Sequence, residues 1–321
     1  MKVGVLTSGG DSSGMNAAVR AITRVGICRG LQVFGIYGGF QGILDEVISE
    51  LNSLSVSRIL HRGGTFLTTG RSEEFKNEEG QKRAAKVLED RGFDALIAIG
   101  GDGTMRGLAA LSKYWKGRLI GLPGTIDNDL FGTDYTIGFD TAVNNALEAL
   151  DKIRDTAEAF SRVFLVEVMG RHSGFIAVHV GIATGASAIV IPETPTKIDD
   201  LAQRVINAKE KAKTSVLVVV AEGDELGNAN VIGEELSKRI GDKCRVSVLG
   251  YIQRGGNPTH LDRILATRLG AFAVECLLSG KDGGMVGEIH GELMMTPFEE
   301  TWSKKKPFDE WMMGLVDELS G

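Results

Sequence analysis

The 321-residue sequence contains little cysteine: three residues, Cys28, Cys244 and Cys276, lie far apart in the chain. An odd number of scattered cysteines argues against a disulfide framework and fits a reducing compartment, and no pair has the spacing of zinc ligands. Long apolar runs are also absent, because none approaches the roughly 18 residues that span a bilayer. Residues 1–6 show no signal-peptide cleavage pattern. We therefore expect a cytoplasmic protein that does not bind a membrane.

The chain also lacks a net positive charge and has little proline. The net charge is −6, which argues against a general nucleic-acid-binding protein. The chain has 6 prolines but 43 glycines, so many backbone positions can form tight turns or approach a ligand closely. With 43% hydrophobic and 24% charged residues, the composition is that of a folded globular protein. The length is sufficient for two domains with cores of their own, or for one large α/β domain.

Apolar segments of strand length alternate with longer segments of helical period. The predicted strands are 2–7, 31–36, 95–99, 119–122, 162–168, 188–191, 215–221 and 245–249, and the predicted helices are 16–29, 79–91, 104–112, 141–158, 198–212, 229–240 and 260–278. The strands are apolar along most of their length, as expected for strands covered on both faces. The alternation predicts an α/β fold of two doubly wound, mainly parallel-sheet lobes with a ligand site in the cleft between them.

Two glycine clusters follow predicted strands and precede predicted helices. They are Ser8-Gly9-Gly10-Asp11-Ser12-Ser13-Gly14 and Gly100-Gly101-Asp102-Gly103-Thr104. Backbone amides at a helix N-terminus can bind phosphate, although either cluster alone could equally be a tight turn that binds nothing. No Walker A sequence occurs, and neither cluster is a clean dinucleotide fingerprint, which argues against a nicotinamide enzyme.

An acidic loop, Pro123-Gly124-Thr125-Ile126-Asp127-Asn128-Asp129, follows the predicted strand 119–122. One of its aspartates could take a proton from an attacking hydroxyl while the other supports a magnesium ion. An isolated pair of this kind is more often a solvated turn. Together with the two glycine clusters, however, the loop indicates a magnesium–phosphate site.

Arginines stand beside several predicted strand ends, namely Arg162, Arg171, Arg245 and Arg254. The planar guanidinium matches a phosphate dianion, so a group of arginines in glycine-containing loops of an acidic protein suggests an anion pocket. Each arginine alone would more commonly form a weak surface salt bridge.

These motifs occur in one order, together with Gly63-Gly64-Thr65, Met169-Gly170-Arg171 and Gln253-Arg254-Gly255-Gly256. In that order they resemble the bacterial-type 6-phosphofructokinases over essentially the whole chain. The acidic loop is the motif that distinguishes this family from others that share a glycine motif. The resemblance implies transfer of the γ-phosphoryl group of ATP to the 1-hydroxyl of fructose 6-phosphate. It also implies a nucleotide-binding lobe of residues 1–138 plus 253–304 and a sugar-phosphate-binding lobe of residues 139–252 plus 305–321.

The resemblance also implies roles for individual residues. Asp127 would be the general base, assisted by Thr125 near the reacting oxygen, and Asp102 would hold magnesium with support from Asp129. Arg71 and Arg171 would stabilise charge during transfer. The nucleotide would contact Gly10, Arg71, Ser72, Gly101, Asp102, Gly103 and Thr104, while the acceptor would contact Thr125, Ile126, Asp127, Arg162, Met169, Gly170, Arg171, Glu222, Arg245, Tyr251, Ile252, Gln253 and Arg254.

Arg162 and Arg245 match family arginines that a neighbouring subunit donates, so the resemblance implies an oligomer, typically a tetramer. Gly103 and Gly124 stand where pyrophosphate-using relatives carry bulkier or charged residues, typically aspartate and lysine. Two glycines leave room for the α-phosphate and ribose, so we expect ATP as the donor. Phe40 stands where a tyrosine usually flanks the adenine, and Tyr251 replaces a histidine at the 6-phosphate.

Three alternatives stay open. The chain could use pyrophosphate or both donors; it could phosphorylate another ketose phosphate, such as tagatose 6-phosphate or sedoheptulose 7-phosphate; or it could be an idle nucleotide- or sugar-phosphate-binding subunit. The intact set of Asp102, Asp127 and Asp129 argues against the last.

The effector site of the family is incompletely matched. Arg20, Arg24, Arg154 and Lys213 correspond to its basic residues, but other ligands are replaced by Ser53, Arg58, Ser187, Thr214 and Ser215. Because these replacements remove charges from an anion site, we expect weak or altered allosteric control.

Overall fold

A computed structural model describes residues 1–211 and 215–319. The chain divides into two compact units. The first consists of Met1–Ile126, Leu130–Thr141 and Arg254–Lys306, and the second of Asp127–Asp129, Ala142–Gln253 and Pro307–Gly321.

The first unit is built on a seven-stranded sheet. Its strands are β1 (Lys2–Ser8), β2 (Gln32–Ile36), β3 (Ile48–Leu51), β4 (Ala95–Gly100), β5 (Arg118–Pro123), β10 (Gly284–Ile289) and β11 (Glu292–Pro297). The order across the sheet is β11-β10-β5-β4-β1-β2-β3. The strands from β10 to β2 run parallel, whereas the edge strands β3 and β11 are antiparallel to their neighbours.

Helices cover both faces of this sheet. They are α1 (Met15–Cys28), α2 (Phe40–Leu44), α3 (Glu78–Asp90), α4 (Asp102–Leu111), α9 (His260–Leu278) and α10 (Glu300–Ser303). Alternate residues of the central strands enter two separate cores: Ile97 packs with α1 and α9, and Leu96 packs with α3 and α4. Burial on both faces explains why the strands are apolar at successive positions.

The second unit contains a four-stranded parallel sheet of order β7-β8-β6-β9. Its strands are β6 (Val163–Val168), β7 (Ala188–Val190), β8 (Val216–Ala221) and β9 (Arg245–Val248). Its helices are α6 (Phe175–Ala183), α7 (Ile198–Glu210), α8 (Ala229–Ile240) and α11 (Glu310–Leu319), and most of α5 (Phe139–Phe160) also belongs to it. Apolar residues of α7 and α8 pack on one face of the sheet, and α6 contacts β8.

The predicted α/β class and the mainly parallel sheets are confirmed, and each predicted strand agrees with the structure to within one residue. The predicted helices agree to within two residues, except that residue 212, the predicted end of 198–212, lies outside the described residues. Strands β3, β10 and β11 and helices α2, α6, α10 and α11 were not predicted.

Candidate active site

The first glycine turn follows β1 and is joined to a segment about sixty residues further along the chain. The Gly9 amide donates to the Gly70 carbonyl at 3.2 Å, and the Thr69 hydroxyl donates to the Gly9 carbonyl at 3.0 Å. These bonds place the segment that carries Arg71 and Ser72 beside the turn. Arg71 is exposed there, while the Ser72 hydroxyl donates to Gln41 Oε1 at 2.6 Å.

The second glycine turn joins β4 to α4 and lies next to the first. The Thr104 hydroxyl donates to the Ser8 carbonyl at the end of β1, at 3.2 Å. Among the described residues no side chain caps the start of α4, so its first amides are available to an anionic ligand. Gly103 is exposed, and a Cβ added there would meet nothing within 4 Å.

Asp102, the first residue of α4, has a side chain that is 37% exposed and receives hydrogen bonds from Arg106 Nε at 2.9 and 3.0 Å. Within residues 1–211 and 215–319, no group of three or more His, Cys, Asp or Glu side chains could hold a metal ion. Magnesium, however, commonly takes one or two carboxylates and completes its coordination with substrate phosphates and water. A single accessible carboxylate beside a turn that could bind phosphate therefore fits this ion.

The acidic loop begins beside the second turn. Gly100 and Pro123 are partners in the parallel pairing of β4 with β5, and the Gly124 amide donates to the Gly100 carbonyl at 2.9 Å. A Cβ built on Gly101 would lie 3.5 Å from Thr125 Cβ, so the second turn and Thr125 are immediate neighbours.

Asp127, two residues beyond Thr125, belongs to the second unit. It is only 4% exposed, and its carbonyl accepts a hydrogen bond from the Ser173 hydroxyl at 2.9 Å. Asp129 is exposed. The loop therefore presents one buried and one exposed carboxylate.

The structure places Arg254 against the first glycine turn. A Cβ added to Gly10 would lie 2.2 Å from Arg254 Nη1, and the same nitrogen is 3.9 Å from the Asp11 carboxylate. The Ser13 hydroxyl lies within hydrogen-bond distance of the carbonyls of Arg254 and Gly256, at 3.1 and 3.0 Å. Arg254, which is expected to bind the acceptor, thus contacts the first glycine turn, which is expected to bind the donor phosphates.

In the second unit, Met169-Gly170-Arg171 follows β6 and Glu222 follows β8. Glu222 Oε1 accepts hydrogen bonds from the amides of Arg171 at 2.9 Å and Gly170 at 3.3 Å. Gly170 has φ 149°, a conformation that side chains rarely allow. Met169 is buried and Arg171 is exposed, so this turn directs the guanidinium outwards.

Arg162 and Arg245 lie at the amino ends of strands β6 and β9, whereas the Arg171 turn lies at the carboxyl end of β6. Arg162 directly precedes β6, and Arg245 begins β9 as the partner of Phe164. Because β6 lies between them and the Arg171 turn, roughly 20 Å of strand separates the two groups. Arg162 lies 4.3 Å from the Phe160 ring centroid, and the buried Arg245 Nε has no hydrogen-bond partner among the described residues.

The remaining acceptor candidates lie near residue 250. Tyr251 and Ile252 are 81% and 60% exposed, whereas Gln253 is buried, and Asn145 Nδ2 donates to the carbonyls of Ile252 and Gln253 at 3.3 and 3.2 Å. Ile126, between Thr125 and Asp127, is 2% exposed.

Residues of the expected effector site are distributed over both units. Arg20 and Arg24 lie one turn apart on α1, and Arg24 Nη2 donates to the Ser53 carbonyl at 3.2 Å. Arg154 on α5 donates to the Thr184 carbonyl. Arg58 is exposed, Ser187 and Ser215 are buried, and Lys213 and Thr214 lie outside the described residues.

Two residues expected near the donor, Phe40 and Gly124, are closely packed. Phe40 is 5% exposed and stacks on Phe75 with centroids 4.1 Å apart, so its ring belongs to the core rather than to an open adenine surface. A Cβ on Gly124 would lie 2.8 Å from Ile99 Cγ2 and 2.9 Å from Met15 Cε. Open space therefore surrounds Gly103, whereas Gly124 contacts the side chains of Ile99 and Met15, and its part in donor choice stays a prediction.

Asp262, near the start of α9, was not predicted as a site residue. It is 1% exposed, and its carboxylate accepts hydrogen bonds from the Gly138 amide and from the amide and hydroxyl of Thr141. Burial raises its pKa from 3.8 to about 6. The Thr259-x-x-Asp262 spacing is a capping signal for α9, but it gives no indication of these contacts.

The fold and these turns define the general class: an α/β protein whose glycine-rich turns, at the carboxyl ends of parallel strands, can bind phosphate groups. Comparison with known proteins identifies the family. A family model described as phosphofructokinase matches residues 2–277, and the chain belongs to the phosphofructokinase family. The resemblance stated from the motifs is thereby confirmed.

Relatives named as ATP-dependent 6-phosphofructokinases match nearly the whole chain. ATP-dependent 6-phosphofructokinase 1 of Thermus thermophilus is 49% identical over 319 residues, and ATP-dependent 6-phosphofructokinase of Shouchella clausii is 48% identical over 319 residues. Each alignment covers 99% of both chains.

Solved structures give the same fold. Phosphofructokinase from Saccharomyces cerevisiae matches with a TM-score of 0.88 at 35% identity, over 99% of this chain and 48% of the yeast chain, so this chain spans about half its length. A pyrophosphate-dependent phosphofructokinase from Marinobacter aquaeolei matches with a TM-score of 0.83 at 24% identity, over 96% and 86% of the two chains. The latter match supports the fold alone.

Within the described part of the chain, no helix is both long and apolar enough to cross a membrane.

Proposed function

We propose that this chain transfers the γ-phosphoryl group of ATP to the 1-hydroxyl of fructose 6-phosphate, giving fructose 1,6-bisphosphate and ADP. The observation that carries the proposal is the adjacency of Thr125 and Gly101 at the carboxyl ends of β5 and β4. The start of the acidic loop is therefore a neighbour of a helix N-terminus whose amides could bind phosphate. The full-length relatives named as ATP-dependent 6-phosphofructokinases support the same assignment.

Asp127 is the general base in this proposal. The 1-hydroxyl oxygen attacks the γ-phosphorus, its proton passes to the Asp127 carboxylate, and the bond to the β–γ bridging oxygen breaks. A positioned base of this kind contributes about 10²- to 10⁴-fold to the rate. The burial of Asp127 and the Ser173 hydrogen bond to its carbonyl restrict the motion of this residue, as a positioned base requires.

Charge compensation comes from several groups of the chain. The amides around Gly10, Gly101 and Gly103 and the hydroxyl-bearing Thr104 line the donor phosphates, while Arg71 and Arg171 offset charge on the transferring group. Asp102, supported by Asp129, would hold magnesium, which neutralises negative charge on the phosphates when bound.

The donor is ATP rather than pyrophosphate. Gly103 supports this assignment because it is exposed and faces open space, which admits the rest of a nucleotide triphosphate. On this basis the first unit binds the nucleotide, with Ser72 beside it, and most of the residues proposed for the acceptor belong to the second unit.

Acceptor binding depends on the turn held by Glu222. Its hydrogen bonds to the amides of Gly170 and Arg171 keep Met169, Gly170 and Arg171 in one conformation. Ile126, Tyr251, Ile252, Gln253 and Arg254 complete the acceptor set. Tyr251 can donate a hydrogen bond to a phosphate but carries no charge, and this observation favours another ketose phosphate as the second candidate acceptor.

A complete site requires more than one subunit. Arg162 and Arg245 lie at the amino ends of their strands, far from the Arg171 turn at the carboxyl end of β6. They are therefore better placed to reach the acceptor of a neighbouring molecule than the acceptor bound at the Arg171 turn of their own chain. We therefore propose a homo-oligomer, a tetramer by family resemblance, located in the cytoplasm. Light scattering of the purified protein that shows only a monomer would contradict it.

The function is tested by assaying purified protein with magnesium and a matrix of donors and acceptors. The donors are ATP and pyrophosphate, and the acceptors are the 6-phosphates of fructose and tagatose and sedoheptulose 7-phosphate. The highest kcat/KM is expected for ATP with fructose 6-phosphate, measured by coupling product cleavage to NADH oxidation. A higher kcat/KM for pyrophosphate or for another acceptor would replace the corresponding part of the proposal, and absence of turnover with every pair would favour a binding subunit.

A further inference from the structure

The start of the acidic loop, residues 123–125, is hydrogen-bonded to residues 136 and 137 further along the chain, and this pairing is called the base of the loop. The Ile137 amide donates to the Pro123 carbonyl at 2.8 Å, and the Thr136 hydroxyl donates to the Thr125 carbonyl at 2.6 Å. Gly124 and Ile137 also form a parallel bridge. The position of residues 136 and 137 therefore determines where the start of the loop lies.

Asp262 holds the segment that follows this base. Its Oδ1 accepts from the Gly138 amide at 2.7 Å, and its Oδ2 accepts from the Thr141 amide at 2.8 Å and the Thr141 hydroxyl at 2.5 Å. Gly138 has φ 102°, and a Cβ there would lie 2.4 Å from Ser12 Cβ, so the backbone has little freedom to move. One side chain thus satisfies the amides at the start of α5, immediately after the loop.

The residues around this carboxylate are bonded in turn to two other segments of the proposed site. The Thr141 hydroxyl also accepts from the Thr259 amide at 3.1 Å, in the chain between Arg254 and α9. On the other side, the Ser12 hydroxyl of the first glycine turn donates to the Ile137 carbonyl at 2.8 Å. Three segments therefore meet around Asp262: the base of the acidic loop, the first glycine turn and the segment that follows Arg254.

We propose that Asp262 is a positioning residue for the phosphoryl-transfer reaction: its carboxylate fixes the base of the acidic loop against the first glycine turn and the segment after Arg254. It touches no reacting atom. Its effect is exerted through Gly138 and Thr141 on the residues that precede them. This inference rests on the proposed function only where turnover is the measurement.

The main test is Asp262→Asn, which keeps the shape and one acceptor oxygen but turns an NH₂ group toward hydrogen-bond donors. We expect kcat to fall by about 10- to 100-fold, because small displacements of catalytic groups have effects of this size. Thr141→Val, which removes only the hydroxyl contacts, should lower kcat in the same direction, and Thr141→Ser should regain most of it. Thr23→Val, which removes a buried hydroxyl bonded to the Val19 carbonyl on α1, is the matched control and should leave kcat unchanged.

Each variant is assayed at a temperature at which circular dichroism shows it to be folded. A folded Asp262→Asn enzyme with a kcat within about twofold of wild type would overturn the proposal, since misplacement of the loop must slow transfer. An equal loss of kcat in the Thr23→Val control would also overturn the proposal.

Hydrogen–deuterium exchange provides a measurement that does not depend on activity. In Asp262→Asn, peptides covering residues 124–141 and 254–262 should exchange faster, while those of the second sheet should not change. Unchanged or uniformly faster exchange would contradict the positioning role. If wild type has no turnover, the proposed function fails, and this exchange result still decides whether Asp262 positions the loop.

Discussion

Gly103 offers the sharpest prediction about the donor. A side chain at this position enters open space beside Asp102, with no contact inside 4 Å from a Cβ. Gly103→Asp therefore adds a negative charge without disturbing the packing, at the place proposed for the ATP phosphates. Gly103→Asn has the same shape without the charge and is the matched control.

The size of the effect follows from the distance between charges. A carboxylate about 4 Å from a phosphate oxygen is repelled by about 1 kcal/mol in water and about 4 kcal/mol near a protein surface. We therefore expect Gly103→Asp to lower kcat/KM for ATP at least about tenfold more than Gly103→Asn does, since 1.4 kcal/mol corresponds to a factor of ten. Pyrophosphate use should fall less, because pyrophosphate lacks the third phosphate group that the new charge would repel.

Steady-state kinetics at fixed fructose 6-phosphate measure kcat/KM for ATP and for pyrophosphate in both Gly103 variants. Gly124→Ala serves as a contrast: its Cβ would overlap Ile99 and Met15, so it should lower the free energy of unfolding by about 1–3 kcal/mol. Equal kcat/KM for ATP in Gly103→Asp and Gly103→Asn would refute the placement of the donor phosphates at this turn.

Three further outcomes are expected. Glu222→Ala removes the acceptor of the Gly170 and Arg171 amides and should raise the KM for fructose 6-phosphate about tenfold or more, whereas Glu222→Gln, which keeps an acceptor, should fall between; equal KM values would contradict this. Burial, with the nearby Asp140 charge adding to it, raises the pKa of Asp262 to about 6, so the native state binds this proton more tightly than the unfolded chain. The wild type should therefore lose up to about 3 kcal/mol of unfolding free energy relative to Asp262→Asn as pH rises from about 4 to 6, and parallel urea-denaturation profiles would refute this. ADP and phosphoenolpyruvate titrations should change activity weakly, because Ser53 and Ser187 carry no charge; strong, ordinary activation by ADP would contradict this.

Much of the fold could be predicted because parallel strands covered on both faces are apolar at successive positions, as in β4 and β8. The strand β10 escaped prediction because Gly284 and Gly287 interrupt its apolar pattern. Both are required by tertiary contacts: added Cβ atoms would lie 2.6 Å from the Thr296 carbonyl and 2.1 Å from the Gly132 carbonyl. Helix α6 is apolar on all sides, so its sequence has no helical period to distinguish it from a buried strand.

In the candidate site, too, local patterns could be predicted from the sequence and long-range contacts could not. Residues that follow β1, β4 and β5 could be grouped from the sequence, because the carboxyl ends of neighbouring parallel strands share one edge of a sheet. The contact of Arg254 with Gly10 and the bonds of Asp262 to Gly138 and Thr141 could not. They join residues more than a hundred positions apart, and no local pattern specifies such pairings.

The proton-accepting role of Asp127 is the claim on which the account depends most, and Asp127→Asn tests it most directly. The measurement is kcat with ATP and fructose 6-phosphate, together with the dissociation constant of fructose 6-phosphate by calorimetry. We expect a loss of kcat of at least about 10² with largely unchanged acceptor binding, because a base acts only in the transition state. A kcat near that of the wild type would remove Asp127 from this role and contradict the mechanism.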